Sequence, residues 1–166
     1  SWICGDEDTG KTTLLRLLAG DMQPTSGQVI SPEGHVFWVD LQHTAHDSTT
    51  VQACWDALRT CWPNWNDGLL QELAQELDMQ QHVDKRLNML SAGSRRKVMV
   101  VAALASGAAV TLLDQPFAAL DLKSIRAIKD FLREAAEHPS RAWVVADYEA
   151  PRDIPLANVL NLDSAL

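Results

Sequence analysis

Hydrophobic and polar residues follow one another along this chain in an order that predicts short buried strands separated by helices. Apolar runs predict strands at Ser1–Cys4, Ala109–Leu113, Trp143–Ala146 and Val159–Leu162. Two further strands, Gln28–Ile30 and His35–Val39, are predicted on either side of the turn Ser31–Gly34. Short, wholly apolar strands that alternate with helices are typical of an α/β fold, with a mostly parallel sheet flanked by helices.

Apolar residues at helical spacing predict the intervening helices. One runs from Leu14 to Ala19 and is closed by Gly20, and another is capped by Ser91 and runs to Ala105. Between Thr50 and Leu87 no strand is predicted, and apolar helical faces fall at Val51, Cys54, Trp55, Leu58 and, after a cap at Asn66 or Asp67, at Leu69, Leu70, Leu73 and Leu77. A last face includes Ile125, Ile128, Phe131, Leu132 and Ala135. We therefore expect one domain, with a core formed by 1–49 and 88–166 and a helical subdomain at 50–87.

The segment between the first strand and the first helix fits the pattern G-x-x-x-x-G-K-[ST], which forms phosphate-binding loops. Its backbone N–H groups and the positive end of the helix would face one anion, so the loop predicts binding of a nucleoside triphosphate. Lys11 is expected to reach the β- and γ-phosphates, and the Thr12 hydroxyl is expected to bind Mg²⁺. The predicted nucleotide-binding residues here are Gly5, Asp6, Glu7, Asp8, Thr9, Gly10, Lys11, Thr12 and Thr13.

Three consecutive acidic residues, Asp6, Glu7 and Asp8, are unusual neighbours for a ligand with several negative charges. Only backbone N–H groups need to face the phosphates, so these side chains can point to solvent at a modest loss of affinity. Asp also tolerates a left-handed backbone better than most residues, which allows one at position 8.

Composition narrows the class of protein. The chain has 166 residues, 46% hydrophobic and 22% charged, which suffices for the core of one globular domain. A net charge of -8 with a pI near 4.9 disfavours nucleic acid as a partner. Cys4, Cys54 and Cys61 lack metal-site or disulfide-framework spacing, which favours a reducing cytosol. The uncharged run Val98–Leu113 is too short for a comfortable membrane span, and no signal peptide is predicted.

Several further motifs follow the P-loop along the chain. Leu90–Ser94 contains an L-S-x-G element, and Leu112–Asp121 contains an apolar strand that ends at Asp114 and an A-L-D turn. With the P-loop and with Gln42 after a strand, these elements follow the order and approximate spacing of the nucleotide-binding domain of ABC ATPases. The chain resembles that family over nearly its whole length. The resemblance implies a P-loop NTPase fold that binds ATP with Mg²⁺ and dimerises head to tail.

The resemblance also implies roles for individual residues. Ser91, Ala92 and Gly93 would contact the γ-phosphate of ATP bound to a second subunit, in a homodimer or heterodimer. Asp114 resembles the Walker B carboxylate and Gln42 the Q-loop residue, so the implied Mg²⁺ ligands are Thr12, Gln42 and Asp114. Asp121 resembles the D-loop residue that crosses the dimer interface, and its position before a helix also fits an N-cap.

Two residues depart from the family pattern, and both are candidate catalytic residues. Gln115 stands where the family usually has the Glu that activates water. An amide can position water but cannot take its proton, and because general-base help is worth about 10²–10⁴-fold we expect slow hydrolysis. Asp147 stands where the sequence register places the family's switch histidine. Its carboxylate is expected to turn away from the phosphates or to bind Mg²⁺.

A basic cluster and a group of tryptophans each allow two interpretations, and the aromatic residue that stacks on adenine in this family is not found. The basic residues Arg95, Arg96 and Lys97 form either a solvated face or a contact with an acidic partner. Trp55, Trp62 and Trp65 belong either to the core or to the surface where this family receives the coupling helices of membrane subunits. Family domains also open with an antiparallel strand pair whose aromatic residue stacks on adenine. We expect that platform to lie outside this segment.

Three functions are compatible with the sequence. The first is an ATP-binding subunit on the cytoplasmic face of the membrane that couples dimer closure to transport through a separate permease. The second, favoured by Gln115 and Asp147, is a non-hydrolysing ATP-gated regulatory module or the degenerate half of a heterodimer. The third is an ABC protein that acts on ribosomes or DNA, which the acidic composition and the lack of a second cassette disfavour.

Overall fold

A computed structural model describes residues 1–30, 36–38, 46–138 and 140–163. The chain divides into two compact units. The sheet unit comprises Ser1–Trp38, Ala109–Pro116 and Phe131–Leu166. The helical unit comprises Val39–Ala108 and Phe117–Asp130, and therefore contains the whole of the segment 50–87.

The sheet unit is built on a parallel sheet of five strands. In chain order they are β1 (Trp2–Cys4), β2 (Val36–Phe37), β3 (Val110–Asp114), β4 (Ala142–Asp147) and β5 (Val159–Asn161). Their order across the sheet is β2-β3-β4-β1-β5, and every pairing is parallel. The α/β fold with a parallel sheet is therefore confirmed. Because parallel strands end at the same edge, the residues after β1, β3 and β4 lie at one edge of the sheet.

One helix of this unit follows β1 directly and covers the sheet. It is α1, Lys11–Ala19, and Leu15 on its inner face is fully buried against Ile3, Leu112 and Ala146. Gly20 ends the helix in the left-handed conformation, with φ 82°, and its N–H donates to the carbonyls of Arg16 and Leu17. The predicted glycine cap is confirmed, because a residue without Cβ adopts this conformation without strain.

The helical unit contains α2 (Val51–Cys61), α3 (Asp67–Glu76) and α4 (Ala92–Ala105). Of the two predicted caps, Asn66 and Asp67, it is Asn66 that caps α3 by accepting the N–H of Leu69. Trp55 is a core residue, 2% exposed, and its indole N–H donates to the carbonyl of Val98 over 3.1 Å. Trp62 and Trp65 are half-buried. A fifth helix, α5 (Leu122–Ala135), begins in the helical unit and ends in the sheet unit.

The predicted strand at Gln28–Ile30 is wrong. These residues form neither strand nor helix, and Ile30 is 82% exposed. β-branched residues favour strands only where a neighbouring strand and a core bury them, and three residues were too few to show whether that condition holds. The predicted turn 31–34, and residues 35 and 39 of the next predicted strand, lie outside the described residues. Its centre is β2, which pairs in parallel with β3.

None of the helices in the described ranges is long and apolar enough to cross a membrane.

Candidate nucleotide-binding site

The loop between β1 and α1 folds tightly on itself. A Cβ atom at Gly5 would lie 2.4 Å from the Thr9 hydroxyl oxygen, so any other residue there would displace the Thr9 side chain. Asp8 and Gly10 both adopt left-handed conformations, with φ 61° and 90°. Asp8 therefore adopts the left-handed conformation that an aspartate tolerates better than most residues. These turns give the loop the compact, inward-curved shape of an anion-binding concavity.

Gly10 is also the N-cap residue of α1. Within the described part of the chain, no side chain caps this helix end and its first turn has no acidic residue. The first backbone N–H groups of a helix have no partner within the helix, and the macrodipole makes that end positive. The end of α1 therefore offers N–H groups and positive potential to an anion.

Lys11 is held inside the loop. Its side chain is only 5% exposed, and its ammonium donates to the carbonyls of Gly5 and Asp6 over 2.6 and 2.5 Å. A buried lysine requires such partners, because an ammonium without hydrogen bonds is costly away from water. The positive charge is thus fixed at the centre of the loop.

Thr12 and Asp114 meet at the end of β3. The Thr12 hydroxyl donates to Asp114 Oδ2 over 2.6 Å, although the two residues are 102 positions apart. The other carboxylate oxygen, Oδ1, is buried and has no hydrogen-bond partner among the described residues. A hydroxyl and a carboxylate with an unused oxygen are hard ligands of the kind Mg²⁺ takes beside phosphates. The residues present therefore fit a magnesium ion.

Gln115 follows β3 in an uncommon conformation. Its φ is 44°, in the left-handed region that costs a non-glycine residue free energy. Its backbone N–H donates to the carbonyl of Ala146 over 2.8 Å, which fixes the residue to the end of β4. The main chain thus holds position 115 at the edge of the sheet where the P-loop also begins.

Asp147 and Tyr148 follow at the end of β4. The Asp147 carboxylate accepts the N–H of Tyr148 over 2.8 Å. The Tyr148 ring lies over Lys11, with 5.0 Å between the ammonium and the ring centroid, and its hydroxyl donates to Glu7 over 3.0 Å. This bond is the main cause that raises the pKa of the Tyr148 phenol above its ordinary value.

Sequence reasoning missed two residues of this site. One is Tyr148; the signal available was its place beside Asp147 and its status as the only tyrosine of the chain. The other is Asp163, whose carboxylate accepts the N–H of Asp6 over 2.9 Å. Nothing in the pattern around Asp163 indicates that contact, because the two residues are 157 positions apart and meet only through the pairing of β5 with β1.

The remaining predicted residues are placed as follows. Gln42 lies outside the described residues. Ser91, Ala92 and Gly93 form the start of α4 in the helical unit, where the Ser91 hydroxyl accepts the N–H of Ser94 over 3.1 Å. Gly93 is buried, and a Cβ there would lie 2.2 Å from the carbonyl oxygen of Ala119. Asp121 accepts the N–H and the hydroxyl of Ser124, both over 2.8 Å, so it acts as a helix cap.

The basic residues after the L-S-x-G element are engaged within the helical unit. Arg95 pairs with Asp47 at 2.6 Å, Arg96 donates to the carbonyl of Ala118, and Lys97 pairs with Asp121 at 2.8 Å. The interpretation as a solvated face is therefore wrong. The charge pattern alone could not reveal it, because all of the partners are distant in sequence.

The sequence profile of the ABC transporter family matches residues 2–118. The chain belongs to this ABC transporter family. A cytochrome c biogenesis ATP-binding export protein of Pseudomonas syringae is 33% identical over 82% of this chain and 69% of its own length. The human cholesterol transporter ABCA5 is 25% identical over 88% of this chain but only 10% of its own length. The chain thus spans a small part of several of the curated relatives it matches.

Solved structures give the same fold for this ABC-type domain. The RNase-L inhibitor superposes with a TM-score of 0.72 at 28% identity, over 89% of this chain and 28% of that one. A dimeric bacterial ABC transporter cassette superposes with a TM-score of 0.74 at 19% identity, over 97% of this chain and 80% of that one. The domain is therefore a P-loop NTPase fold of the ABC ATPase type.

Proposed function

We propose that this ABC-type domain binds ATP with Mg²⁺ and couples ATP-driven dimer closure, with slow hydrolysis, to transport through a separate membrane permease. The observation that carries the proposal is the buried Lys11 beside the Thr12–Asp114 pair, whose free carboxylate oxygen suits a cation. Its place would be the cytoplasmic face of the membrane, and its partners a second ABC subunit and the permease.

In this proposal the P-loop residues grip the triphosphate. The N–H groups at the start of α1 would face the phosphates, and the Lys11 ammonium would contact a phosphate oxygen. Thr12 and Asp114 would hold Mg²⁺, which when bound neutralises charge on the phosphate oxygens. Gln42 is proposed as a further ligand on the resemblance alone.

Gln115 would limit hydrolysis. Its amide can orient a water molecule by hydrogen bonding, but it cannot accept the proton that the attacking water loses. Its backbone is already fixed at the sheet edge by the bond to Ala146, so a side-chain change there needs no new loop conformation. General-base assistance is worth about 10²–10⁴-fold, so hydrolysis with Gln115 should be slower than with a glutamate by up to that factor.

A second function is favoured by the same residue. A domain that binds ATP but lacks a proton acceptor at position 115 would serve as a non-hydrolysing ATP-gated module, or as the degenerate half of a heterodimer. In that case Ser91, Ala92 and Gly93 would complete the competent site of the partner. Asp121 would lie at the interface while it also caps α5.

The test is ATP binding and Mg²⁺-dependent ATP hydrolysis, measured in parallel on the full-length protein. We expect binding with slow turnover, and an increase in turnover for Gln115→Glu of tenfold or more. Lys11→Ala serves as the control for contaminating ATPases. Fast turnover in the natural protein that Lys11→Ala abolishes would contradict the role given to Gln115. Absence of ATP binding would contradict the proposed function itself.

A further inference from the structure

Tyr148 and Glu7 together cover the mouth of the P-loop. The ring of Tyr148 lies 5.0 Å from the Lys11 ammonium, measured to the ring centroid. The phenol hydroxyl reaches across and donates to Glu7 Oε1 over 3.0 Å, joining residues 141 positions apart. We name this pair of contacts the Tyr148–Glu7 clasp.

The clasp occupies the part of Lys11 that the loop leaves open. An ammonium has three N–H donors, and two of them are used by the carbonyls of Gly5 and Asp6. The ammonium also lies over the Tyr148 ring, whose negative π-face attracts the cation. A phosphate oxygen that approaches Lys11 must therefore displace one of these three partners.

The ring is the partner that can yield. The two carbonyls are part of the loop backbone, so they move less readily than an exposed side chain. Tyr148 comes from the end of β4 and is 44% exposed, so its side chain can rotate into solvent. Its bond to Glu7 opposes that rotation. It also keeps an acidic residue at the loop mouth, where the charge would repel an incoming phosphate.

We propose that the Tyr148–Glu7 clasp is an autoinhibitory cover that must open before the phosphates of a nucleotide reach Lys11. The inference rests on the proposed binding of ATP at this loop. Opening exchanges the cation–π contact for a phosphate contact, so removal of the ring increases ATP affinity. A cation–π contact at a partly exposed site corresponds to an affinity change of about two- to fivefold.

Fluorine NMR can observe the opening directly. Labelling with 3-fluorotyrosine marks the cover, and the resonance that is missing from the spectrum of Tyr148→Phe is that of Tyr148, the only tyrosine among these 166 residues. We expect the resonance to shift as ATP is added, and to stay unchanged on adding ATP to Lys11→Ala. A resonance that does not move while the protein is saturated with ATP overturns the cover.

Affinity measurements separate the ring from its tether. Tyr148→Leu removes both, and we expect its dissociation constant for ATP to be two- to fivefold lower than that of the natural protein. Tyr148→Phe is the matched control, since it keeps the ring over Lys11 and loses only the bond to Glu7; its gain should be smaller than that of Tyr148→Leu. Equal or weaker binding by Tyr148→Leu, with an unchanged melting temperature, overturns the cover alone. Failure of both the natural protein and Tyr148→Leu to bind ATP overturns the proposed function and the cover with it.

Discussion

Helix α1 begins at the P-loop and helix α4 begins at the L-S-x-G element, but the first residues of the two helices are capped differently. Helix α1 starts from Gly10 in a left-handed conformation, and no side chain in the described part of the chain caps it. Helix α4 starts from Ser91 in an extended conformation, and the Ser91 hydroxyl accepts the N–H of Ser94. One helix start is left open, while the other is partly closed by its own sequence.

The difference separates a helix end whose N–H groups stabilise the fold from one whose N–H groups can bind a ligand. The cap at Ser91 and the contact of Gly93 with the Ala119 carbonyl fix the start of α4 to its own unit. The start of α1 is fixed through Lys11 and Thr12, whose side chains bond to the loop and to Asp114 while the backbone N–H groups remain for a ligand. Substitutions at equivalent positions of the two helices test this contrast.

The largest effect is expected at Gly93. A methyl group there meets the backbone oxygen of Ala119 at 2.2 Å, and backbone cannot move aside cheaply. We expect Gly93→Ala to lower the free energy of unfolding by about 1–3 kcal/mol, measured by denaturant titration. Gly68 is the matched control at the same position of α3, where the nearest atom to an added Cβ is a side-chain oxygen at 3.4 Å. There Ala should be neutral or stabilise by up to about 1 kcal/mol, and equal destabilisation by both changes would refute the contact at Gly93 as the cause.

An intermediate effect is expected from a glutamate in the third position of each helix. Thr13→Glu places a carboxylate at the open end of α1, where it competes with phosphate for the N–H groups. We expect ATP binding to weaken by about five- to thirtyfold, corresponding to about 1–2 kcal/mol of repulsion, in a calorimetric titration. Ser94→Glu creates a capping box with Ser91 in α4 and should stabilise the protein by a few tenths of a kcal/mol without changing ATP affinity.

The reverse result would remove the distinction between the helix starts. If Ser94→Glu weakened binding of ATP by a monomeric sample as much as Thr13→Glu did, the start of α4 would be as important to the ligand as the start of α1.

The smallest effect is expected at Asp121, where a carboxylate caps α5. Its pKa is held well below the ordinary value, first by the hydrogen bond from Lys97 and then by those from Ser124. A depressed pKa in the folded state contributes stability above the unfolded pKa near 4 and loses it as pH falls through the folded pKa. The side chain is 55% exposed, so solvent screening limits the contribution to at most about 1 kcal/mol.

The Asp121→Asn variant keeps the cap and removes the charge. We expect it to be slightly less stable than the natural protein at pH 7, with a difference that decreases as pH falls below about 4 and that also decreases in 1 M salt. Urea titrations at several pH values measure this. A difference independent of pH would mean that the charge of Asp121 is not its cause.

The sequence predicts elements that depend on local signals. The Gly20 cap, the Ser91 cap and the α3 cap, predicted at Asn66 or Asp67 and found at Asn66, are each determined by a few neighbouring residues, and each is confirmed. The buried face of α2 likewise follows from helical periodicity. The failed strand at Gln28–Ile30 is different, because its formation depends on a partner strand that no local pattern specifies.

The candidate site divides in the same way. The P-loop is a contiguous motif and could be read directly. The pair of Thr12 with Asp114 was accessible only because a family resemblance brought distant motifs together. The contacts of Tyr148 with Lys11, of Asp163 with Asp6 and of Lys97 with Asp121 depend on which chain segments meet in the fold, and residue type alone does not carry that information.

The strand order has a consequence for how the chain is made. Strand β1, formed by residues 2–4, has β4 and β5 as its only neighbours in the described sheet, and they end at residues 147 and 161. During synthesis the P-loop therefore emerges before β4 and β5, and the strands that flank β1 are available only once residues 142–161 have been translated. Contacts of such long sequence separation form slowly. The helical unit, which ends at Asp130, can collapse earlier. The sheet around the P-loop is thus completed later in synthesis than the segments of the helical unit.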